Sequence, residues 1–230
     1  MIQLQQNRYL WVHFFALAWV PLLLDFCLWG LASARAAFGY PSAYGLQFWL
    51  VVLLCVGLPL WMQVARPFYI FSLPPLALRP SRLTREQKRE LTVLTSWQIK
   101  ALAGVVAVFS VWLLAQLYEK ATVVRSTIPL GSAGAGFITA VVTFFLACLF
   151  MQIGVSAARS LLVSPSALKR VAPYEGDVAK SFLIAGLRVD KLPLDSAISV
   201  PSAADIPNAR PVAPSASPED SVVEAENGGE

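Results

Sequence analysis

The chain has 230 residues, of which 57% are hydrophobic and only 14% are charged. Soluble domains carry about 25% charged residues, so this composition excludes an ordinary water-soluble fold and indicates a membrane protein. The net charge of +4 is unevenly distributed, because residues 195–230 hold seven acids and a single base. The other bases lie beside apolar segments, which favours contact with a membrane surface over binding to nucleic acid.

Four apolar stretches have the roughly 20 residues that a helix needs to cross a bilayer. They cover residues 9–31, 46–64, 99–117 and 137–157. The first resembles a signal peptide, but its apolar run exceeds the roughly 7–15 residues of a signal core, so we interpret it as a retained helix. Pro21 predicts a kink in this helix, and no second interrupted span is expected. The predicted fold class is all-α integral membrane, with four transmembrane helices.

The basic residues predict the orientation of these spans. With four spans, the N-terminus, the central loop (residues 65–98) and the C-terminal region lie on one side of the membrane. That side holds fifteen of the eighteen Lys and Arg residues, and the opposite side holds three. Basic residues concentrate in cytoplasmic loops, so both termini are expected in the cytoplasm.

The segments outside the bilayer divide into three predicted parts. The central loop belongs to a transmembrane region of residues 1–160 and contains an amphipathic cytoplasmic helix. In this helix Thr84 and Gln87 fit a capping box, and Leu83, Gln87, Leu91 and Leu94 share one stripe. Residues 161–194 form a small cytoplasmic segment, with a helix start at Ser164-Pro165. Residues 195–230, rich in Pro, Ser, Ala and acids, form a disordered tail.

Several short motifs carry a resemblance to a known family. They are Leu10-Trp11-Val12-His13, Leu60-Trp61-Met62-Gln63, Arg66-Pro67-Phe68-Tyr69-Ile70-Phe71-Ser72 and Gly186-Leu187-Arg188-Val189. Together they resemble the cyanobacterial "low-complexity tail membrane protein" family over roughly residues 9–194. This resemblance implies a cyanobacterial source and a thylakoid or plasma membrane, and it brings no activity that could be transferred.

Asp25 is the intramembrane polar candidate, because it is the only formally charged residue within the predicted spans. A carboxylate in the hydrocarbon costs a few kcal/mol, so Asp25 is expected to face the helix bundle or to be protonated. Gln47, Gln116, Thr139 and Thr143 lie in the same half of the other spans and could hydrogen-bond it. Two readings follow, a proton or cation relay and a polar tie between helices.

His13, the only histidine, could ligate a pigment or haem, or it could hydrogen-bond neighbours such as Gln63 and Gln152. The three cysteines, Cys27, Cys55 and Cys148, have no metal-ligand spacing and are interpreted as packing residues. No catalytic constellation, cofactor motif or metal site is predicted. Arg82, Arg85, Lys88 and Arg89 form a candidate surface for lipid or a partner, or they only set the topology.

These observations leave several functions open. The leading hypothesis is a non-enzymatic accessory, assembly or scaffold protein of a larger membrane complex, for instance a photosynthetic one. Its expected partners are the lipid bilayer and a membrane-protein complex, and not nucleic acid. The alternatives are a small homo-oligomeric transporter or channel that uses Asp25, a membrane-embedded enzyme, and a pigment-binding protein that uses His13.

Overall fold

A computed structural model of the chain describes residues 8–38, 45–73, 76–124 and 132–190. Within these ranges four helices are long and apolar enough to cross a membrane, and we name them TM1 to TM4. They are TM1 (Tyr9–Ala34), TM2 (Leu46–Ala65), TM3 (Trp97–Ala121) and TM4 (Ala133–Leu161). All four predicted spans are confirmed. The predicted disordered tail, residues 195–230, lies outside the described residues.

Two of the spans are irregular. TM1 joins α-helices Arg8–Phe15 and Val20–Phe38 through a 3₁₀ turn at Ala16–Trp19. TM2 joins α-helices Leu46–Val52 and Leu58–Ala65 through a π-helical segment at Leu53–Gly57.

Each irregular segment precedes a proline, Pro21 in TM1 and Pro59 in TM2. A proline has no N–H, so the carbonyl four residues earlier loses its usual donor and the helix adapts locally. An interruption of TM1 was expected from Pro21. The expectation that no second span is interrupted was wrong, because Pro59 has the same effect in TM2.

TM1 packs against TM4 more closely than ordinary side chains would allow. A Cβ atom at Gly30 would lie 2.5 Å from the Gly136 carbonyl oxygen and 2.7 Å from the Ala140 backbone nitrogen. A Cβ atom at Gly154 would lie 2.5 Å from the Leu17 side chain. Glycines therefore let the two backbones approach, and the contact follows both helices over most of their length.

Polar side chains tie the other spans to TM4. Gln63 of TM2 donates from Nε2 to the Ser156 hydroxyl at 2.9 Å, and Ser156 donates to the Gln152 carbonyl at 2.7 Å. Gln152 in turn donates from Nε2 to the Ala103 carbonyl of TM3 at 3.0 Å. These buried bonds link three helices. TM4 is thus the helix around which the bundle is assembled.

The segments on one end of the bundle form a second layer, which we call the basal layer (residues 66–96 and 162–190, apart from 74 and 75). Its helices are α1 (Arg85–Leu94), α2 (Pro165–Arg170) and α3 (Val178–Ser181). Its strands are β1 (Ser72–Leu73), β2 (Leu76–Leu78) and β3 (Leu187–Val189), and a 3₁₀ turn covers Pro80–Arg82.

A small sheet joins the central loop to the C-terminal segment. Its order is β1-β2-β3, with β1 and β2 antiparallel and β2 and β3 parallel. In the parallel pair Leu76 lies opposite Leu187 and Leu78 opposite Val189. Gly186 adopts a φ of 122° before β3, a conformation that favours glycine.

A second hydrophobic core lies beneath the bundle. It contains the fully buried Tyr69 and Phe71 of the central loop, Leu91 of α1 and Phe182 of the C-terminal segment. Tyr9 and Leu10 from the start of TM1 and Ala157 near the end of TM4 also belong to it. The aromatic part of the central loop therefore packs under the bundle.

Several local expectations about the basal layer are confirmed. Thr84 accepts from the Gln87 N–H while its own N–H donates to the Gln87 side chain, which is the predicted capping box. Ser164 caps α2, with Pro165 at the first helical position. The helix α1 begins at Arg85, directly after the Thr84 cap, and Arg82 belongs to the preceding 3₁₀ turn.

We predict that Gly30→Ala destabilises the bundle by about 1–3 kcal/mol, because the added methyl group would meet the TM4 backbone. Gly104→Ala is the matched control, since a Cβ there has open space within 4 Å. That substitution should be neutral or stabilising by up to about 1 kcal/mol. Thermal unfolding in detergent measures both variants, and equal effects would contradict the close TM1–TM4 contact.

Candidate functional site

Asp25 lies on the outer surface of the bundle, where its side chain is exposed. It is about 5 Å from the middle of the Tyr9–Ala34 span, measured along the helix axis at about 1.5 Å per residue. Asp25 was expected to face the bundle or to be protonated; it does not face the bundle, and the other alternative stays a prediction. The inner face of TM1 at this level is occupied by Cys27, Gly30 and Leu31, which pack against TM4 and leave Asp25 on the opposite face.

The predicted hydrogen-bond partners of Asp25 are engaged elsewhere or lie apart from it. Thr139 donates to the Ala135 carbonyl at 2.9 Å, and Thr143 donates to the Thr139 carbonyl at 2.7 Å. Gln47 and Gln116 are half-buried on TM2 and TM3. Across the part of the chain that the structure describes, no side chain hydrogen-bonds Asp25 or forms an ion pair with it.

Asp25 belongs to a stripe of exposed residues that runs along TM1, which we call the outer stripe. The spacing of its members alternates between four and three residues, which is the heptad repeat of helices that pack side by side. The side chains of Phe26 and Trp29 contact each other next to Asp25, with ring centroids 5.5 Å apart. The stripe consists of Trp11, Phe15, Ala18, Leu22, Asp25 and Trp29.

His13 lies half-buried near the basal end of TM1. Its Nδ1 lies 2.7 Å from the Tyr9 carbonyl oxygen of the same helix. The expectation that Gln63 or Gln152 bonds His13 was wrong, because both glutamines bond within the TM2–TM3–TM4 network. These contacts favour a structural role for His13, and pigment ligation stays a prediction.

The three cysteines are free and lie in the core of the bundle, as the packing interpretation expected. They come from three helices, TM1, TM2 and TM4, and Cys55 donates from Sγ to the Val141 carbonyl at 3.4 Å. Within the described ranges, no group of three or more His, Cys, Asp or Glu side chains is placed to hold a metal ion.

The four basic residues predicted to form one surface are divided among three environments. Arg82 is exposed and pairs with Asp190 at 3.4 Å, as does Arg79 at 3.1 Å. Arg85 and Lys88 face the loop around Tyr174, whose N–H donates to the Lys88 carbonyl. Arg89 points to the other side of α1. Contact of these residues with lipid or a partner stays a prediction, but they do not form a single patch.

Glu90 is a functional candidate that the sequence analysis missed. It lies on α1 beside Arg89 and is only 3% exposed. Its Oε2 atom and the Nε atom of Arg89 are enclosed and without hydrogen-bond partners among the described residues. Both side chains line a cavity of about 310 Å³ between α1, α2 and the end of TM4.

Burial raises the pKa of the Glu90 carboxyl to about 8, and the nearby Glu86 carboxylate contributes to the increase. The ordinary value is 4.5. A carboxyl group so perturbed, in a cavity with other charged residues, is typical of a functional site. In the sequence, Glu90 is one of several charged residues in a polar helix, but it lies seven residues from Leu83, three from Gln87 and four from Leu94, spacings that place it on the buried stripe.

We predict that Glu90 makes the protein less stable as the pH rises. Between about pH 5 and pH 8 the folded chain retains the Glu90 proton, whereas the unfolded chain, with an ordinary pKa, releases it. Unfolding therefore releases a proton in this window, and the free energy of unfolding falls by up to about 1.4 kcal/mol per pH unit.

Thermal unfolding of wild type and Glu90→Gln over this pH range tests the prediction. The variant should lose most of this pH dependence. Glu119→Gln, which changes an exposed glutamate near the opposite end of TM3, should retain it. A Glu90→Gln profile as steep as that of wild type would exclude Glu90 as the source.

Comparison with known proteins identifies the family of this chain. No curated protein matches it, and no solved structure matches it. Residues 6–194 match the family described as "Low-complexity tail membrane protein-like", in agreement with the resemblance that the short motifs carry. Because this match covers most of the chain and accords with the four apolar spans, the chain belongs to the low-complexity tail membrane protein-like family of integral membrane proteins.

Proposed function

We propose that this protein is a non-enzymatic accessory or assembly protein that binds another membrane protein through the outer stripe of TM1. The single observation that carries the proposal is the position of Asp25, exposed on the outer surface within the span. A polar group at this depth and on this face would be stabilised by a hydrogen-bonding partner from outside the described part of the chain.

The carboxyl group of Asp25 is costly to place in the hydrocarbon of a bilayer. An aspartate at the centre of a membrane helix costs about 2.5–3.5 kcal/mol on insertion scales. The described part of the chain supplies no hydrogen bond to offset this cost. A donor on a neighbouring helix would offset part of it, because hydrogen bonds between helices in a bilayer contribute about 0.6–2 kcal/mol.

The shape of the outer stripe fits a second helix. Phe15 is 62% exposed and Leu22 is 45% exposed. Large exposed side chains therefore flank the small Ala18 on both sides along the helix. Side chains at heptad spacing can insert between those of a facing helix. The occupant we propose is therefore a transmembrane helix of another protein that carries Lys, Arg or an amide at the level of Asp25.

A second copy of this chain is the other candidate occupant, and it corresponds to the homo-oligomeric transporter or channel. The same observation favours it, because Asp25 would then lie between subunits, where a carboxylate could contact a moving ion or proton. A two-fold dimer through the stripe would bring two Asp25 carboxylates together, where their like charges repel each other. Charge complementarity favours the basic or amide partner.

The setting of the proposal is the thylakoid or plasma membrane of a cyanobacterium, with the basal layer and both termini in the cytoplasm. Fifteen of eighteen basic residues lie on the side of the basal layer in the predicted topology, which supports this orientation. Arg85 and Lys88 are then available to a cytoplasmic portion of the same complex.

Site-specific photo-crosslinking in native membranes tests the proposal. A photoreactive residue in place of Leu22, within the outer stripe, should crosslink to one other membrane protein. The same residue in place of Val108, which is 73% exposed on TM3, is the matched control and should label lipid. Asp25→Leu should reduce the Leu22 crosslink about tenfold, whereas Asp25→Asn should retain part of it, because its amide still hydrogen-bonds.

The identity of the crosslinked species separates the candidates. A crosslink at Leu22 to lipid alone, or one that Asp25→Leu leaves unchanged, would contradict the accessory function. A crosslink to a second copy would favour the transporter, and flux through reconstituted vesicles that Asp25→Asn abolishes would then establish it.

A further inference from the structure

A groove on the basal layer lies between α1 and the loop that precedes α3. Arg85 and Lys88 line it from α1, and Tyr174 and Glu175 line it from the loop. Its volume of about 690 Å³ is within the usual range for ligand sites. The groove is therefore large enough to hold a few residues of a peptide.

The groove is preformed, because the loop is fixed to α1 at two points. The Tyr174 N–H donates to the Lys88 carbonyl at 3.1 Å. Two residues before Tyr174, the Ala172 carbonyl accepts from Thr92 Oγ1 at 2.9 Å. The Tyr174 ring also packs against Phe182 of the second core, with ring centroids 5.4 Å apart. A ligand therefore meets an ordered surface, which lowers the entropic cost of binding.

The groove carries an excess of accessible positive charge. Arg85 is exposed and Lys88 is half-buried, and neither forms an ion pair with another described residue. Among the described residues that line the groove, these two bases face a single acid, Glu175, which leaves a net charge of +1. Guanidinium and ammonium groups form charge-assisted hydrogen bonds with carboxylates, so the groove favours an acidic ligand.

The described part of the chain ends at the rim of this groove. Asp190, the last described residue, pairs with Arg79 at 3.1 Å and with Arg82 at 3.4 Å. Between these two arginines in the sequence are Pro80 and Ser81, which line the groove. The remainder of the chain therefore starts next to the groove.

That remainder contains a run of acids at residues 219–230, which we call the acidic segment. It holds five Asp and Glu residues and no Lys or Arg. Residues 191–218 connect it to Asp190 and can span up to about 90 Å at about 3.3 Å per residue, so the segment can reach the groove. The covalent connection gives an effective concentration on the order of millimolar, at which a weak contact is sufficient for docking.

We propose that the acidic segment docks in the groove, where its carboxylates pair with the side chains of Arg85 and Lys88. Charge complementarity and the position of Asp190 favour this occupant over an acidic segment of another protein, which lacks the covalent connection. While docked, the acidic segment shields both bases, so a partner that uses them has to displace it first. The docking does not depend on the outer stripe of TM1, so either proposal can fail without the other.

Disulfide crosslinking of the full chain in phosphatidylcholine nanodiscs tests the proposal. Ser81→Cys in the groove is combined with Val222→Cys in the acidic segment, and a disulfide requires their Cα atoms to come within about 7 Å. The three native cysteines are buried in the core of the bundle and do not compete. The matched control combines Val222→Cys with Ser166→Cys, which is exposed on α2 at the other side of α1. We expect the groove pair to crosslink within one chain about tenfold faster than the control pair.

Removal of charge distinguishes docking from random collision. Arg85→Gln together with Lys88→Gln should slow the crosslink about tenfold, because two ion pairs are lost. Amides in place of the five acids of the acidic segment should have the same effect, as should molar salt, which shortens the Debye length to about 3 Å. Lys169→Gln together with Arg170→Gln removes two bases from α2 and should leave the rate unchanged.

Three results would overturn the proposal. The first is equal crosslinking of the groove pair and the control pair, or a rate that neither charge removal changes. The second is a disulfide between two chains, which would assign the groove to the acidic segment of a second copy. The third is loss of the crosslink when phosphatidylglycerol is added to the nanodiscs, which would identify anionic lipid as the preferred occupant.

Discussion

The close contact between TM1 and TM4 is the constraint on which the other features depend. Gly30 and Gly136 allow the two backbones to meet near the end of the bundle that is remote from the basal layer, and Gly154 accommodates Leu17 nearer the basal end. With TM1 held along TM4, the inner face of TM1 is fully used for packing. Asp25 and the other residues of the outer stripe are left on the free face as a direct result. The glycines at the TM1–TM4 contact therefore determine that Asp25 lies on the outer face of TM1.

The basal layer depends on the same contact. TM1 begins and TM4 ends side by side, so Tyr9, Leu10 and Ala157 form a common base for the second core. The central loop and the C-terminal segment then meet on this base and pair as β2 and β3. The cavity lined by Glu90 lies at the margin of this assembly, where α1 and α2 approach the end of TM4. Both candidate sites are thus consequences of how the helices pack.

The four spans and the helix caps could be predicted because their signals are local. A run of twenty apolar residues, a Thr84-x-x-Gln87 box or a Ser164-Pro165 pair is read within one short segment. The exposed position of Asp25 could not be predicted, because TM1 is apolar on every face and its sequence does not distinguish the inner one. The sheet could not be predicted either, since it pairs Leu76 with Leu187 across two intervening spans. The burial of Glu90 depends on α2 and TM4, which lie far from it in sequence.

The pairing of β2 with β3 has a consequence for membrane insertion. β2 precedes TM3, and β3 follows TM4, so the two strands can meet only when TM3 and TM4 enter as a hairpin with both ends on the same side. A chain with that hairpin missing one span, or inverted, would leave β3 separated from β2 by the bilayer. The Tyr69 and Phe71 side chains would then remain uncovered by Phe182. The small sheet can therefore form only in chains whose TM3 and TM4 are both inserted in the correct orientation.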